Sequence, residues 1–303
     1  MKNKKKTFLI VCVILLIVGY ILYWLANRYL IEHVEIDNAI TAEQSESTEQ
    51  ADADEEVYTS DEWHYESNKN SIEISKVVEN DTTYFVADVE LKNGETMLSA
   101  FAKNQFGNNI IEYTSEIASD NEAIFAINGD YYGFRDDGII IRNGQLYRDV
   151  PARTGLAFYA DGSMKTYDET KTSGEELLSE GVIHTFSFGP VLVENSEAIS
   201  NFNQLSIDKN FGNRSIEKSN PRTGVGIIAP NHFVFVVVDG RSKNYSNGLT
   251  LEEFAQVFED LGCTDAYNLD GGGSSTMYFM GKVVNNPLGK NKERGVSDIL
   301  YLK

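Results

Sequence analysis

One segment of the sequence places a carboxylate directly before a flexible, hydroxyl-rich loop. Residues 266–275 read AYNLDGGGSS, a β-type stretch that ends in a run of glycines. Because glycine has no side chain, other groups can approach this backbone closely, and its N–H groups can bind an anion. A tight turn with positive φ is the alternative, although ordering three consecutive glycines costs more backbone entropy than a turn needs. The candidate site residues here are Asp270, Gly271, Gly272, Gly273, Ser274 and Ser275.

A second polar group ends another apolar run, in the segment INGDYYGF at residues 127–134. Amide, carboxylate and flat phenol side chains at a strand end suit the recognition of a sugar ring. Asn128 is therefore a candidate for orienting a sugar, and Asp130 is a candidate catalytic carboxylate. An Asx turn with ordinary aromatic packing is the alternative explanation of the same residues.

Two arginines stand beside glycines near the ends of β-type runs, in the segments PRTGVG and VVVDGR. A guanidinium group presents a planar set of donors that matches phosphate oxygens, so Arg222 and Arg241 are candidate phosphate ligands. Thr223 lies next to the first arginine, and Asp239 in the second segment is a further candidate carboxylate. In both cases a surface arginine in a turn is the alternative.

Two more positions are candidates for lining the same site. Arg153 repeats the Arg-Thr-Gly sequence found at Arg222, and it would be a third phosphate contact or the entry to a hairpin. Gly189 precedes a proline in SFGPVLV, which predicts a shaped loop whose backbone lines the site.

Other hydrolytic mechanisms lack their motifs in this sequence. It has no G-x-S-x-G nucleophile turn and no P-loop, and its four histidines show no metal-ligand spacing. Zinc catalysis and a Ser-His-Asp triad are therefore not expected, and no cofactor is required. A divalent cation is the alternative, because Asp130, Asp239 and Asp270 could gather one for hydrolysis at phosphorus.

Short β-type runs dominate the chain from about residue 68 onward. Two hairpin signals, Asn143-Gly144 and Asp161-Gly162, each join a pair of such runs. Other predicted strands are rich in β-branched and aromatic residues, as is typical of sheets. They cover 72–78, 84–91, 123–127 and 233–238.

Helices are fewer than strands. The spacing of apolar residues predicts one over 251–261, with a capping box formed by Thr250 and Glu253 and a stop at Gly262. Shorter helices are predicted over 114–119 and 174–179. Many antiparallel hairpins with few helices indicate an α+β fold, in which 68–303 forms a single domain rich in mixed and antiparallel sheet.

The N-terminal segment has the pattern of a membrane anchor. Residues 1–7 are basic and predict a cytoplasmic tail, whereas 8–26 is an uncharged apolar run long enough to cross a bilayer. Its last residues are aromatic, unlike the small residues of a cleavage site. We therefore expect a single-pass transmembrane helix that holds an extracellular domain at the cell membrane. A cleaved signal peptide is the alternative.

Acidic residues dominate the next segment, 27–67, which is predicted to be a disordered linker. Residues 32–62 contain twelve Asp or Glu and no Lys or Arg. Such a composition buries too little apolar surface to fold, and its charges repel one another. The net charge of −20 also argues against nucleic acid and anionic membrane surfaces as partners, because both are bound through clustered Lys and Arg.

The two cysteines bear on the compartment. Cys12 lies in the predicted membrane helix, so Cys263 has no partner for a disulfide within the domain. An exported domain without disulfides fits a Gram-positive-like cell surface better than an animal secretory compartment.

Taken in chain order, these segments resemble the phosphodiester glycosidase family. The resemblance covers about 71–303, and NLDGGGSS at 268–275 is its most specific part. One departure is Asp130, where many family members carry a second glycine. The other matching segments are INGDYY at 127–132, FGP at 188–190, RTGVG at 222–226, VDGR at 238–241 and ERGVS at 293–297.

The resemblance implies a hydrolase that acts on a sugar 1-phosphodiester, with bacterial homologues at the cell surface that are often related to exopolysaccharide. Asp270 would be the nucleophile or base, Asp239 the partner carboxylate or a ligand of the sugar hydroxyls, and Arg222 and Arg241 the phosphate ligands. Asn128 and the glycine backbone would orient the sugar. The implied partner is a sugar phosphate or cell-surface glycopolymer, and no protein partner is indicated.

A phosphate leaving group makes an Asp–Arg pair chemically sensible. Its second pKa is near 6, so it leaves without full protonation, and an arginine can neutralise the charge that develops. Two other classes of function stay open. One is a metal-dependent phosphodiesterase, and the other is a tethered module that binds cell-wall polysaccharide without turnover.

Overall fold

The computed structural model describes residues 2–38, 58–202 and 218–303. Within these ranges the secondary structure consists mainly of strands, with four α-helices. They are α1 (Lys2–Tyr29), α2 (Thr114–Asp120), α3 (Gly174–Ser179) and α4 (Leu251–Asp260). The stretch Phe8–Tyr29 of α1 is long and apolar enough to cross a membrane, as an anchor or a signal sequence would be, and it is not buried in the protein.

The largest sheet has nine strands, and each neighbouring pair is antiparallel. In spatial order they are β15 (Glu197–Ala198), β14 (Val191–Glu194), β18 (Asp265–Leu269), β16 (Arg222–Ala229), β17 (His232–Val238), β5 (Thr82–Leu91), β4 (Asn70–Glu79), β3 (His64–Glu66) and β2 (Thr59–Ser60). The long pair β4 and β5 is joined by Asn80 and Asp81, whose positive φ values suit a tight hairpin turn.

A second antiparallel sheet has five strands. Their order is β20 (Lys282–Val283), β19 (Met277–Phe279), β8 (Phe125–Asn128), β21 (Asp298–Leu302) and β6 (Leu98–Phe101). Three smaller sheets complete the described strands. They contain β12 (Met164–Asp168), β11 (Thr154–Tyr159) and β13 (Val182–Phe186); β9 (Gly138–Arg142) and β10 (Gln145–Val150); and β1 (His33–Asp37) and β7 (Gln105–Asn108).

The main core lies between the two large sheets, as the alternation along β17 shows. Phe235 points inward and its ring lies 5.3 Å from that of Phe125 in β8. Val236, one residue further, points to the opposite face and belongs to a second core with Phe254 of α4. Because β17 is covered on both faces, it is apolar from Phe233 to Val238. With α2 packed on the outer face of the five-stranded sheet, helices cover both sheets.

This architecture confirms the predicted α+β fold and its local signals. The capping box of α4 is present, with Thr250 N–H donating to Glu253 Oε2 and Glu253 N–H to Thr250 Oγ1. The helix is followed by Gly262 in a positive-φ conformation. The two hairpin signals lie between β9 and β10 and between β11 and β12, and both short predicted helices form.

The linker prediction for 27–67 is wrong at both of its ends. β1 pairs with β7, and β2 and β3 extend the nine-stranded sheet, so ordered structure begins well before residue 68. The composition argument failed there because it averages over many residues, whereas Ile36 alternates with acids in β1 and packs on an aromatic core cluster. The interval 39–57 of the predicted linker lies outside the described residues.

Candidate active site

The candidate site forms where strands of the two large sheets end side by side. β18 ends directly before Asp270, and β8 ends at the buried Asn128. Asn128 Oδ1 accepts a hydrogen bond from Thr223 Oγ1 of β16 at 2.8 Å, and Asn128 Nδ2 donates to the Asp270 carbonyl at 2.7 Å. The Asn128 amide therefore fixes the backbone beneath Asp270, and Thr223 supports it.

The carboxylate of Asp270 is largely covered, with 14% of the side chain exposed. Its Oδ2 accepts hydrogen bonds from Ser274 Oγ at 2.5 Å and from Arg294 Nη2 at 2.9 Å. Burial raises the pKa of the Asp270 carboxyl above its ordinary value, and the negative charge of Asp130 adds to the rise. The charges of Arg294 and Arg135 and the hydrogen bond from Ser274 oppose it. Asp270 is thus a desolvated carboxylate among cations.

Arg294 is the residue of this site to which the sequence argument gave no role. Its side chain is 48% exposed, so one end of the guanidinium holds Asp270 while the rest reaches solvent. It also donates to Ser274 Oγ, and its stem lies against Gly273, where a Cβ would be 3.0 Å from Arg294 Cδ. The ERGVS segment at 293–297, noted only as part of the family resemblance, was the signal that could have found it.

The glycine loop is shaped by close contacts on both sides. A Cβ on Gly271 would lie 2.8 Å from the Pro221 carbonyl oxygen, and Gly272 has a φ of +66°. Gly272 N–H donates to that same carbonyl at 2.9 Å, and Ser274 N–H donates to the Gly271 carbonyl at 3.3 Å. Two of the amides expected to bind an anion are therefore used within the protein. Ser275 is buried behind the loop.

The two predicted phosphate ligands have different surroundings. Arg241 is exposed, donates from Nε to Asn220 Oδ1 at 3.0 Å, and its terminal nitrogens are the atoms that a Cβ on Gly272 would meet. Arg222 is buried and donates to the carbonyls of Leu249 and Lys218. Burial and then the neighbouring Arg241 lower the pKa of Arg222 to about 10. Arg241 thus lies at the surface of the glycine loop, whereas Arg222 is buried and binds backbone carbonyls of neighbouring loops.

Asp239 is buried and its carboxylate is bound by neighbouring loops. Oδ2 accepts from Tyr245 O–H at 2.7 Å and from Asn286 N–H at 2.9 Å, and Oδ1 accepts from Asn285 Nδ2 at 2.8 Å. The Asn285 amide also donates to the Ser275 carbonyl at 3.0 Å. Asp239 is therefore connected to the back of the glycine loop, through a chain of hydrogen bonds, and not directly to Asp270.

Asp130 belongs to a buried group of charges beneath the site. Its Oδ1 accepts from Tyr132 N–H at 2.8 Å, and its Oδ2 accepts from Ser187 N–H at 2.9 Å and lies 3.5 Å from Arg142 Nη2. Arg142 also donates to Asp298 Oδ2 at 2.6 and 2.8 Å. Burial, together with the charge of Asp130, raises the pKa of the Asp298 carboxyl, because one guanidinium faces two carboxylates.

Arg153 lies on the Ser187 side of the site. It donates to Ser187 Oγ at 2.7 Å and pairs with Asp137 at 2.6 Å, and Arg135 donates to the Ser187 carbonyl at 3.1 Å. The segment continues to Gly189, whose carbonyl accepts from Asn268 Nδ2 at 2.9 Å. The predicted loop therefore borders the site, and its backbone is held by two arginines.

The three predicted carboxylates are bound by different neighbours. Asp130 faces Arg142, Asp239 faces amide and phenol donors, and Asp270 faces Arg294. Among the described residues, no three His, Cys, Asp or Glu side chains are grouped so that they could hold a metal ion. A requirement for a divalent cation stays a prediction to be tested in solution.

Comparison with known families shows the kinship of the part of the chain that forms this site. The model of the phosphodiester glycosidase family matches residues 121–303. This stretch is more than half of the chain and contains every candidate site residue. The chain belongs to the phosphodiester glycosidase family. Arg294 lies within the matched stretch as well, so the Asp270–Arg294 pair is formed entirely by the family's domain.

Solved structures share the phosphodiester glycosidase fold at low sequence identity. The catalytic domain of zebrafish N-acetylglucosamine-1-phosphodiester alpha-N-acetylglucosaminidase, in a form auto-inhibited by its pro-peptide, matches with a TM-score of 0.59 and 21% identity, over 77% of this chain and 82% of that one. A hypothetical protein from Synechocystis gives a TM-score of 0.61 at 14% identity, over 77% and 62%. A putative exported protein from Burkholderia pseudomallei gives 0.53 at 16% identity, over 73% and 74%.

A curated relative is more similar in sequence than these structures. The SPbeta prophage-derived uncharacterized protein YomE of Bacillus subtilis (strain 168) is 33% identical over 206 residues, which is 65% of this chain. The matched region covers 30% of YomE, so the chain spans less than a third of that relative's length. The relative therefore supports kinship of the domain and carries no argument about a whole-protein function.

Proposed function

We propose that this protein is a membrane-anchored, extracytoplasmic hydrolase that cleaves the glycosidic bond of a sugar 1-phosphodiester, at the cell surface or in an exported glycopolymer. Family membership supports the reaction class. The zebrafish relative is an N-acetylglucosamine-1-phosphodiester alpha-N-acetylglucosaminidase, which supports this bond type as the target. The apolar helix α1 supports the anchor.

The observation that carries the proposal is the contact between Asp270 and Arg294. A carboxylate that acts on an anomeric carbon must be ionised, and it must lie beside a group that can bind the departing phosphate. Arg294 stabilises the ionised form of Asp270 across 2.9 Å and still has half of its side chain in solvent. Arg241 lies against Gly272 and Arg294 against Gly273, so two cations border the glycine loop where we place the phosphate.

The reaction breaks the bond between the anomeric carbon and its bridging oxygen. Asp270 either attacks the anomeric carbon itself or takes a proton from the water that does. The bridging oxygen leaves with the phosphate, which becomes a monoester, and the hydroxyl of water ends on the sugar. Arg294 and Arg241 neutralise the charge of the leaving group, which reduces the need for a second carboxyl as an acid.

Product analysis with defined substrates tests this proposal. The full-length protein in detergent is incubated with N-acetylglucosamine 1-phosphate and glucose 1-phosphate, each esterified to a simple alcohol. We expect free sugar and an alkyl phosphate. In oxygen-18 water, label in the sugar demonstrates cleavage at carbon, whereas label in the phosphate would replace the proposal by cleavage at phosphorus. Binding of the esters without turnover would indicate a binding module.

Replacement of Asp270 by Asn supplies the residue-level test. The amide is nearly isosteric but cannot act as a nucleophile or base, so turnover should fall by at least about a thousandfold. An unchanged circular dichroism spectrum and melting temperature show that the fold is intact. Turnover close to that of the native protein would remove Asp270 from the catalytic role.

A further inference from the structure

A cavity of about 590 Å³ lies between the C-terminal end of α1 and the loop that follows β8. On the helix side its wall is formed by Trp24, Arg28 and Tyr29. On the domain side its wall is formed by Tyr131, Phe134 and Arg135. The cavity thus joins the end of the membrane-type helix to the segment that contains Asp130.

Close contacts hold the end of α1 against the domain. Asn109 Nδ2 donates to the carbonyl of Arg28, in the last turn of α1, at 3.1 Å and to that of Ile31, two residues beyond the helix, at 2.9 Å. Lys103 Nζ lies 2.5 Å from Glu32 Oε1. β1 then begins at His33 and pairs with β7. Three residues separate α1 from β1, and they span at most about 10 Å.

One residue of the cavity wall, Arg135, also contacts the segment that borders the candidate active site. The guanidinium of Arg135 lies 5.4 Å from the Tyr131 ring and 5.0 Å from the Phe188 ring. It also donates to the Ser187 carbonyl, next to Asp130. Its charge acts on the Asp270 carboxyl, whose pKa it lowers. Arg135 therefore lines the cavity, holds the Ser187 carbonyl and acts electrostatically on Asp270.

The lining of the cavity suits a sugar phosphate. Arg28 and Arg135 supply two guanidinium groups, which match phosphate oxygens. The rings of Tyr131 and Phe134 stack at 4.7 Å and present flat apolar surface of the kind that sugar rings pack against. Trp24, on the helix, is of a residue type that is common at the headgroup level of a membrane.

We propose that the preferred substrate is a membrane-embedded lipid whose phosphate is esterified to the anomeric carbon of a sugar. This inference rests on the proposed hydrolysis at Asp270. If α1 crosses the membrane, the short connection to β1 keeps the cavity at the membrane surface. A lipid ester then enters from the side of Trp24 and Tyr29, and Arg28 and Arg135 attract its phosphate during entry. The sugar phosphate moves on to Asp270, where Arg294 and Arg241 bind the phosphate during the reaction.

The test compares two esters in one membrane system. The full-length protein is reconstituted into phosphatidylcholine vesicles, and one substrate is N-acetylglucosamine 1-phosphate esterified to diacylglycerol in the same vesicles. The other is the identical sugar phosphate esterified to glycerol in solution. We expect kcat/KM for the lipid ester to exceed that for the glycerol ester by at least tenfold. Both concentrations are expressed per volume of sample, and only the lipid ester in the leaflet that faces the catalytic domain is counted.

Two insertion variants identify the origin of that preference. A flexible Gly-Ser segment of about twelve residues placed between Ile31 and Glu32 frees the helix from the domain. It should reduce the lipid preference at least fivefold and leave kcat for the glycerol ester unchanged, because Asp270, Arg294 and Arg241 lie outside the freed helix. The same segment inserted after Ser47 lies between β1 and β2, not between α1 and β1, and it should change neither rate.

The outcomes separate this inference from the function on which it rests. Equal rates for both esters, a preference that survives insertion after Ile31, or a mature protein that mass spectrometry shows to have lost α1 would overturn the lipid substrate while leaving the hydrolysis intact. Release of sugar from neither ester would overturn the proposed hydrolysis itself.

Discussion

Arg294 Nη2 donates to Asp270 Oδ2 across 2.9 Å, although the two residues lie on separate loops of the five- and nine-stranded sheets. Asn128 makes this approach possible, because its amide holds the Asp270 carbonyl and so fixes where β18 ends. The strands carry little of the chemistry themselves. They bring a covered carboxylate to a cation that solvent can still reach.

Replacing Arg294 by Gln should lower kcat by about a hundredfold and move the acid side of the pH–rate profile upward. Arg294 opposes the rise in the pKa of Asp270, so without it the carboxyl holds its proton to higher pH. Because activity needs the ionised form, the rate then falls away at a higher pH than in the native protein. A pH series of kcat from 4 to 9 measures both effects.

Lys292→Gln is the matched control for that experiment. It removes one positive charge from an exposed position two residues away. Its profile should overlay the native one. A shift of the same size in Lys292→Gln would show that overall charge, and not the contact with Asp270, sets the pH dependence.

The sequence predicted the elements of the fold well because those elements depend on local signals. The α4 capping box, the Asn143-Gly144 turn and the apolar run of β17 each specify their structure within a few residues. The N-terminal strands were missed because β1 depends on its partner β7, where Gly107 leaves room for the His33 carbonyl. Nothing near His33 in the sequence indicates that partner.

The candidate site was predicted in part, for a similar reason. Asp270 and its glycine loop are contiguous, so their motif can be recognised in the sequence. Which arginine faces Asp270 is a matter of tertiary structure, and the Arg-Gly pattern drew attention to Arg222, which is buried against carbonyl groups. Arg294 comes from a loop before β21, and although its ERGVS segment matches the family, nothing in the sequence indicates that its side chain faces Asp270.

The two arginines near the glycine loop should respond differently to replacement by alanine. Arg241→Ala removes an exposed cation beside Gly272, so KM should rise about tenfold with little change in melting temperature. Arg222→Ala removes one donor from each of the carbonyls of Leu249 and Lys218, which keep their bonds from Asn220. It also takes away a buried side chain, so it should lower the free energy of unfolding by about 2 kcal/mol. Michaelis kinetics and urea unfolding on both variants separate these effects. A stable Arg222→Ala protein with only a raised KM would assign the phosphate to Arg222.

Asp239→Asn distinguishes a supporting role from a catalytic one. Asp239 accepts from Tyr245, Asn285 and Asn286, and an amide nitrogen in its place cannot accept, so stability should fall by about 2–3 kcal/mol. Turnover should fall about tenfold, because Asn285 also holds the Ser275 carbonyl behind the glycine loop. Tyr245→Phe removes one donor and should cost about 1 kcal/mol. Complete loss of turnover in a fully stable Asp239→Asn protein would instead make Asp239 a reacting group.

His184 should make the domain less stable in acid. Its Nε2 lies 2.8 Å from the Met97 carbonyl and its Nδ1 accepts from Asn143 N–H, so the ring is buried in a neutral form that a second proton would disrupt. Burial lowers the pKa of His184 to about 3, against 6.5 for the ordinary group. Between these values the unfolded chain binds more protons than the folded one. The contribution of His184 to the free energy of unfolding is therefore fully present above about pH 6.5. It falls by about 1.4 kcal/mol for each pH unit below that value.

Urea unfolding at pH 8, 7, 6 and 5 measures this slope, with His184→Gln as the comparison. Gln is uncharged throughout the range and can still donate to the Met97 carbonyl. Because its shape differs from that of the imidazole ring, it packs imperfectly, and the variant should be less stable than the native protein at pH 8. Its stability should nevertheless fall less steeply below pH 6.5, and the difference between the two curves should narrow by about 1.4 kcal/mol per unit. Because acidic residues elsewhere affect both proteins alike, parallel curves would show that His184 does not change its protonation on unfolding.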